Sequence, residues 1–373
     1  MRNLDTFRGC LIGGAAGDAL GYTVEFMREE QIFRTYGPQG ITAYDLIDGV
    51  GQISDDTQMT LFTANGLLLG RARNAQGPAP ADVYLSYLDW LKTQGYRSAH
   101  NEGPCNAWLG NLRAMYKRRA PGTTCLSALR SGNSGSVEEP INNSKGCGGV
   151  MRVAPVGLYF CDQQRPLEEI CRFGAETAAL THGHPLGWMP AAALAQIIYE
   201  ISQDGTPLTD AVQHALDEAE QLWPESESRA YFLRLMRRAV ALAGQELSDL
   251  DAIHQLGEGW VAEETLAIAV YCALKYPGDI DRVLIAAANH NGDSDSTAAV
   301  AGNIVGAQVG LAGIPPKYTE NLELYDVILQ IADDLWRDCP PDGSDPAWEE
   351  KYGGAGNGKD PKAFLQDDTK QTD

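Results

Sequence analysis

The chain has 373 residues, with 29 Lys+Arg against 50 Asp+Glu and a formal net charge of -21. So negative a surface repels nucleic acid backbones and anionic membranes, which excludes both as expected partners and leaves a basic protein partner, cation binding or plain solubility. The eight cysteines are scattered without a CxxC pair or zinc-type spacing, and no long charge-free stretch is present, so a cytoplasmic protein with reduced thiols and no membrane span is expected.

Ala- and Leu-rich segments alternate with Gly/Pro/Asn-rich breaks, and runs of β-branched alternation are lacking. The spacing predicts helices over residues 4–21, 56–72, 80–93, 104–118, 147–160, 166–181, 186–204, 208–222, 227–244, 262–275, 279–289, 295–311 and 322–337. The fold class is therefore all-α. Segments 186–204 and 295–311 are apolar nearly all round, which marks them as central helices. With no fixed-period repeat and no linker before Cys339, residues 1–339 read as one helical domain. Residues 340–373 read as a polar tail, extended or partly disordered, with Trp348, Tyr352 and Phe364 as its large apolar anchors. Residues 131–146 are irregular over a length that suits a functional loop.

Two acidic clusters carry the chemistry. SDDT at residues 54–57 opens a helical pattern, and a helix N-terminus explains it in part: Ser54 caps, and Asp55 and Asp56 complement the helix dipole. GDSDST at residues 292–297 opens another helix in the same way. Capping needs only one acceptor, however, and each cluster supplies two carboxylates and hydroxyls beside buried helices. Crowded buried carboxylates must be paired, protonated or metal-bound. Four carboxylates neutralise two divalent cations, and an all-oxygen donor set suits Mg²⁺, Mn²⁺ or Ca²⁺ rather than zinc. An EF-hand is excluded, because Ala298 and Ile304 stand where that loop needs Gly and Glu.

With these clusters in view, the chain resembles the ADP-ribosylglycohydrolase family, which includes ADP-ribosylarginine hydrolases and dinitrogenase-reductase-activating glycohydrolases. Five motifs occur in family order: GCLIGGAAGDALGYTVEF near the start, SDDTQM, KGCGGVMRVAPVGL at 145–158, THGHPLG at 181–187 and HNGDSDSTAAVAGNIVGA at 290–307. Together they span about residues 7–310. The resemblance implies a compact orthogonal helical bundle around a central binuclear site for two Mg²⁺ (or Mn²⁺) ions. It also implies hydrolysis of the bond joining ADP-ribose to a modified protein side chain. It places metal ligands at Ser54, Asp55, Asp56, Asp293, Asp295 and Ser296, and an acidic residue near the metals and the scissile bond at Glu25. Glu25, Asp55, Asp56 and Asp295 are accordingly the expected catalytic residues, and Asp18 a buried carboxylate that orients its neighbours.

Gly13, Gly17 and Gly21 recur every four residues and line one helical face, a signal for close helix packing. Gly146, Cys147, Gly148 and Gly149 expose backbone N–H groups suited to a diphosphate. Of His182 and His184, one is expected to contact a phosphate or ribose and the alternative is a loop-fixing hydrogen bond; His290 orients the second cluster. Trp108, Tyr116 and Trp188 are candidates for stacking on adenine.

A glycosidic bond at C1″ breaks through a transition state of oxocarbenium character. Ions would orient the sugar and acidify a water while Glu25 moves a proton. The DSDST and THGHP forms look closer to arginine-directed members than to those acting on serine or O-acetyl linkages. The expected partner is an ADP-ribosylated protein. Since some family members are immunity proteins, an ADP-ribosyltransferase toxin is a further candidate partner. A phosphohydrolase using the same clusters would release AMP instead of ADP-ribose.

Overall fold

The first helix, Leu4–Tyr22, starts where the Asn3 side chain accepts from the Asp5 N–H at 3.0 Å. Its glycine face meets the Ser294–Val309 helix backbone to backbone. A Cβ built on Gly13 would lie 2.4 Å from the Gly302 carbonyl oxygen, and one on Gly17 2.0 Å from that of Ala298. The two helices run antiparallel, because Gly9 faces Gly306 at one end and Gly21 faces Ser294 at the other. Asn303 ties them further, donating through Nδ2 to the Cys10 carbonyl at 2.8 Å. This pairing brings the end of the first helix against the start of the one that carries the second acidic cluster.

The computed structural model describes residues 3–74, 76–98, 103–338 and 346–353. Among these it has seventeen α-helices, three isolated bridges and no strand, packed as one compact domain. The all-α expectation holds. Besides Pro185–Asp204 and Ser294–Val309, the Leu4–Tyr22, Asp55–Arg73 and Ala262–Lys275 helices are buried on nearly every face, so the centre holds more helices than the two that periodicity predicts. None of the described helices is long and apolar enough to cross a membrane. The seven described cysteines are all free.

Several predicted helices differ. Residues 104–118 form only two short 3₁₀ turns, Trp108–Asn111 and Arg113–Tyr116. The Asp89 carboxylate accepts from the Ala107 N–H at 2.6 Å, and a Cβ on Gly110 would meet Cys105 Sγ at 2.5 Å, so this chain is held by side chains, not by a helical ladder. Residues 147–160 divide into a 3₁₀ turn, Cys147–Gly149, and a short α-helix, Ala154–Tyr159. Gly148 and Gly149 weaken the early part, and Pro155 is accommodated only in a first helical turn. The helices Glu29–Tyr36, Thr123–Arg130, Asp249–Ile253 and Pro316–Thr319 were too short to show a period. Residues 131–146 are irregular, as expected.

Within the expected tail, Pro346–Tyr352 is helical rather than extended. The buried Asp334 carboxylate accepts from both Lys351 Nζ and Tyr352 Oη at 2.5 Å, and Trp348 stacks on Tyr352 at 5.3 Å. The expectation for residues 340–345 and 354–373, Phe364 included, lies outside the described residues.

Candidate active site

Asp18 sits in the first helix and organises the start of the Asp55–Arg73 helix. Its carboxylate accepts from the Ser54 N–H at 2.9 Å, the Thr57 N–H at 3.0 Å and the Thr57 hydroxyl at 2.5 Å. Donors that a helix start leaves orphaned are thereby satisfied from outside. Ser54 Oγ caps the same helix, accepting from the Asp56 N–H at 3.2 Å, and its second lone pair is left over. Asp55 and Asp56 are therefore released from capping and line a cavity with Asp293, Asp295, Ser296 and Glu25.

The second cluster is set by a tight loop. Gly292 has φ +112° and packs so closely that a Cβ would lie 2.0 Å from the Glu258 carbonyl oxygen, which accepts from the Asp293 N–H at 2.8 Å. His290 bridges the Asn291 carbonyl and the Thr297 hydroxyl at 2.7 and 2.9 Å, which is the orienting role expected of it. Ligand oxygens of Glu25, Asp293 and Asp295 all lie within 4.8 Å of one another.

These carboxyls are buried and mutually repulsive. Burial, and then the charges of Asp295, Asp293, Asp55 and Asp18, push Glu25 up to about 10. Burial and Asp295 push Asp18 up to about 7. Burial raises Asp55, Asp56 and Asp293 well above the usual carboxylate range, and Asp295 less far. Glu25 Oε2, Asp56 Oδ2 and Asp293 Oδ2 are buried without any hydrogen-bond partner. Orphaned acceptors beside crowded like charges fit divalent cations, which would supply the missing partners and lower these values again.

A pH dependence follows. Asp18 and Glu25 hold protons in the metal-free fold that ordinary carboxyls of the unfolded chain release near pH 4. Stability of the metal-free protein therefore falls as pH rises from about 4 through about 7 and on toward about 10. Melting curves in EDTA should drop in Tm between about pH 5 and 9, with an Mg²⁺-induced rise that grows across that range. An Mg²⁺ shift that shrinks with pH would contradict this.

The cavity has a volume of about 510 Å³. Gly146, Cys147, Gly148 and His182 form one wall, Arg118, Gly122, Thr123 and Thr124 another, and Phe26 and Trp260 the mouth. A larger cavity, about 680 Å³, holds none of the expected residues. Its cations are engaged, Lys317 with Asp281 at 2.6 Å and Arg282 over the Tyr276 ring at 3.9 Å.

Some expectations need correction. Gly149 does not line the cavity: it packs on the Gly187 carbonyl and Ala178, where a Cβ would meet atoms at 2.8 and 3.0 Å. The Cys147 N–H is spent on the Trp260 carbonyl at 3.3 Å, and the Gly146 N–H points to Ser144 Oγ at 3.4 Å, so neither faces a phosphate. Burial, and then the charges of Asp293 and Asp56, instead push the Cys147 thiol well above the usual thiol range. His184 caps the Pro185–Asp204 helix, its Nδ1 accepting from the Leu186 N–H at 3.0 Å, and is not in the cavity wall. Trp108 and Trp188 are buried elsewhere, and the Tyr116 hydroxyl donates to the Gly110 carbonyl; none of the three reaches the cavity.

The aromatic groups that do reach it, Phe26 and Trp260, were missed. Their rings lie at 6.3 Å with planes 21° apart, and both are unusually exposed for their size. Phe26 directly follows Glu25, and Trp260 follows Gly259 at φ +82°; both signals stand in the sequence but point to a site only once the fold joins them.

The sequence pattern of ADP-ribosylglycohydrolases matches residues 1–345. The chain belongs to the ADP-ribosylglycohydrolase family. Among similar proteins, ADP-ribosylhydrolase ARH3 of Mus musculus is 24% identical, over 90% of this chain and 92% of its own. The ADP-ribosyl-[dinitrogen reductase] glycohydrolase of Rhodospirillum rubrum is 25% identical over 86% and 91%. ADP-ribosylarginine hydrolase Tri1 of Pseudomonas putida is 24% identical over 90% and 79%. A solved structure, an ADP-ribosylglycohydrolase-related protein complex, shares the fold with TM-score 0.60, 23% identity and coverage of 90% of this chain and 98% of that one. This ADP-ribosylglycohydrolase thus pairs the family's function, removal of ADP-ribose, with a buried acidic cluster that could hold a metal ion.

Proposed function

We propose that this ADP-ribosylglycohydrolase cleaves the N-glycosidic bond between ADP-ribose and an arginine side chain of a modified protein, releasing ADP-ribose. The observation that carries the reading is the floor of the cavity, where Glu25, Asp55, Asp56, Asp293 and Asp295 converge. A guanidinium leaving group is cationic, and with the four aspartates neutralising two divalent ions Glu25 is left as the carboxylate that stabilises it and the positive charge that develops at C1″. One relative supports the linkage by name, an ADP-ribosylarginine hydrolase.

Ser54, Asp55, Asp56, Asp293, Asp295 and Ser296 would hold two Mg²⁺ or Mn²⁺ ions. Such ions supply charge that orients ribose hydroxyls and acidifies a water. Glu25, whose Oε2 is unpartnered, takes a proton from the water attacking C1″ and returns one to the departing nitrogen. Asp18 keeps Asp55 and Asp56 aimed by holding the helix start behind them. The wall of Gly148 and His182, with the start of the Thr123–Arg130 helix, receives the diphosphate. Phe26 and Trp260 offer ring faces to adenine at the mouth.

The test offers arginine-linked and serine-linked ADP-ribosyl peptides together with Mg²⁺ and follows each by mass spectrometry. Faster loss of the arginine-linked peptide is the expected result. Preference for the serine-linked peptide would replace the arginine reading, and AMP among the products would replace glycosidic cleavage with diphosphate cleavage.

A further inference from the structure

Arg152 is fully buried, yet no carboxylate pairs with it among the described residues. Its guanidinium lies 4.2 Å from the centre of the Tyr87 ring. Nη1 reaches the sulfurs of Met59 and Cys125 at 3.6 and 3.5 Å, and Nη2 donates to the Thr177 carbonyl at 3.2 Å and to Thr181 Oγ1 at 2.8 Å. A buried cation without a counter-ion is costly, so what its few good hydrogen bonds control matters.

The direction of each bond can be assigned. A guanidinium only donates, so Thr181 Oγ1 accepts from Arg152 and has one proton of its own to give. His182 Nδ1 lies 2.8 Å from that hydroxyl, the Ala178 carbonyl 3.5 Å, and the Cys125 sulfur nearby is a weak acceptor. The short contact takes the proton. His182 Nδ1 is then an acceptor, and the ring proton resides on Nε2.

We infer that Arg152 and Thr181 are positioning residues that lock His182 in the Nε2–H tautomer, so that it presents an N–H donor to an oxygen of the ligand in the acidic cavity. A Cβ on Gly146 would lie 3.4 Å from Nε2 and one on Gly148 2.9 Å from Cε1, so both glycines keep that edge of the ring open to the cavity. Burial, then the charge of Arg152, pushes the imidazole down to about 3, and the ring stays neutral. A neutral donor binds a phosphate or ribose oxygen without repelling a departing guanidinium. The buried guanidinium also polarises the hydroxyl–imidazole chain and strengthens the N–H as a donor. The contact with ligand rests on the reading that the cavity takes ADP-ribose; the tautomer does not.

The experiment uses the full chain with ¹⁵N-labelled histidine, as wild type, Thr181→Ser and Thr181→Val, first without ligand and then titrated with ADP-ribose and Mg²⁺. The wild type and Thr181→Ser should show a protonated Nε2 and a bare Nδ1 at His182. Thr181→Val should lose that pattern and bind ADP-ribose about fivefold to tenfold more weakly. Adding Thr181→Val to His182→Ala should cost nothing further. A bare Nε2 in the wild type, or an equal Thr181→Val loss when His182 is absent, would overturn the relay. A wild type that shows the expected tautomer and fails to bind ADP-ribose would overturn the ligand reading alone.

Discussion

Asp295→Asn is expected to lower kcat/KM by about a thousandfold, the effect of losing several kcal/mol of charge stabilisation at the reacting centre. The side chain keeps its shape, so the loss reports on charge. Asp295 is also the charge that most raises Glu25, Asp56 and Asp293 after burial. Removing it relieves repulsion in the metal-free fold, and the variant in EDTA should melt at or above the wild type. Mg²⁺ should then stabilise the wild type but barely move the variant. A variant that is inactive because it is unfolded, or one stabilised by Mg²⁺ as strongly as the wild type, would contradict the assignment of Asp295 as a ligand.

Gly17→Val is expected to destabilise the fold by about 1–3 kcal/mol or more, measured from urea midpoints. The obstacle is the backbone of Ala298, with its carbonyl oxygen 2.0 Å from the new Cβ, and a helix cannot yield as a flexible side chain does. Separating the two helices also moves Asp18 and Glu25 away from Asp295. A misplacement near 1 Å costs on the order of a hundredfold in rate, so activity should fall even where the variant remains folded. A variant as stable as the wild type within about 0.5 kcal/mol would show that this contact does not set the packing.

The parts of the fold legible in the sequence are those whose cause is local. Long helices announce themselves by period, and the Gly13, Gly17 and Gly21 face predicts a close partner without naming it. The partner, Gly302 and Gly306 of the last central helix, belongs to the motif that carries the second acidic cluster, so packing and chemistry share one segment. Helices of four to eight residues stay hidden because they span too few turns to show a face, and residues 104–118 mislead because their conformation is held by Asp89 from a distance and by Cys105 packed on Gly110.

The site divides in the same way. Both acidic clusters stand out, since two carboxylates at one helix start exceed what a helix cap needs. His182 and His184 look alike in THGHP, and only the fold separates them: one meets a threonine hydroxyl and the cavity, the other a backbone N–H at a helix start. Residues 146–149 read as one phosphate cradle, yet two of their N–H groups are already engaged and Gly149 serves packing. The aromatic mouth was illegible because Phe26 and Trp260 come from distant segments.

The central claim is that the acidic cavity holds divalent metal and uses it to free ADP-ribose from protein. The most direct measurement is chromatographic detection of ADP-ribose released from an arginine-ADP-ribosylated protein, by the metal-stripped enzyme and by the same sample after Mg²⁺ is restored. Release that is absent in EDTA and returns with Mg²⁺ is the predicted result; release at the same rate in both samples would contradict the account.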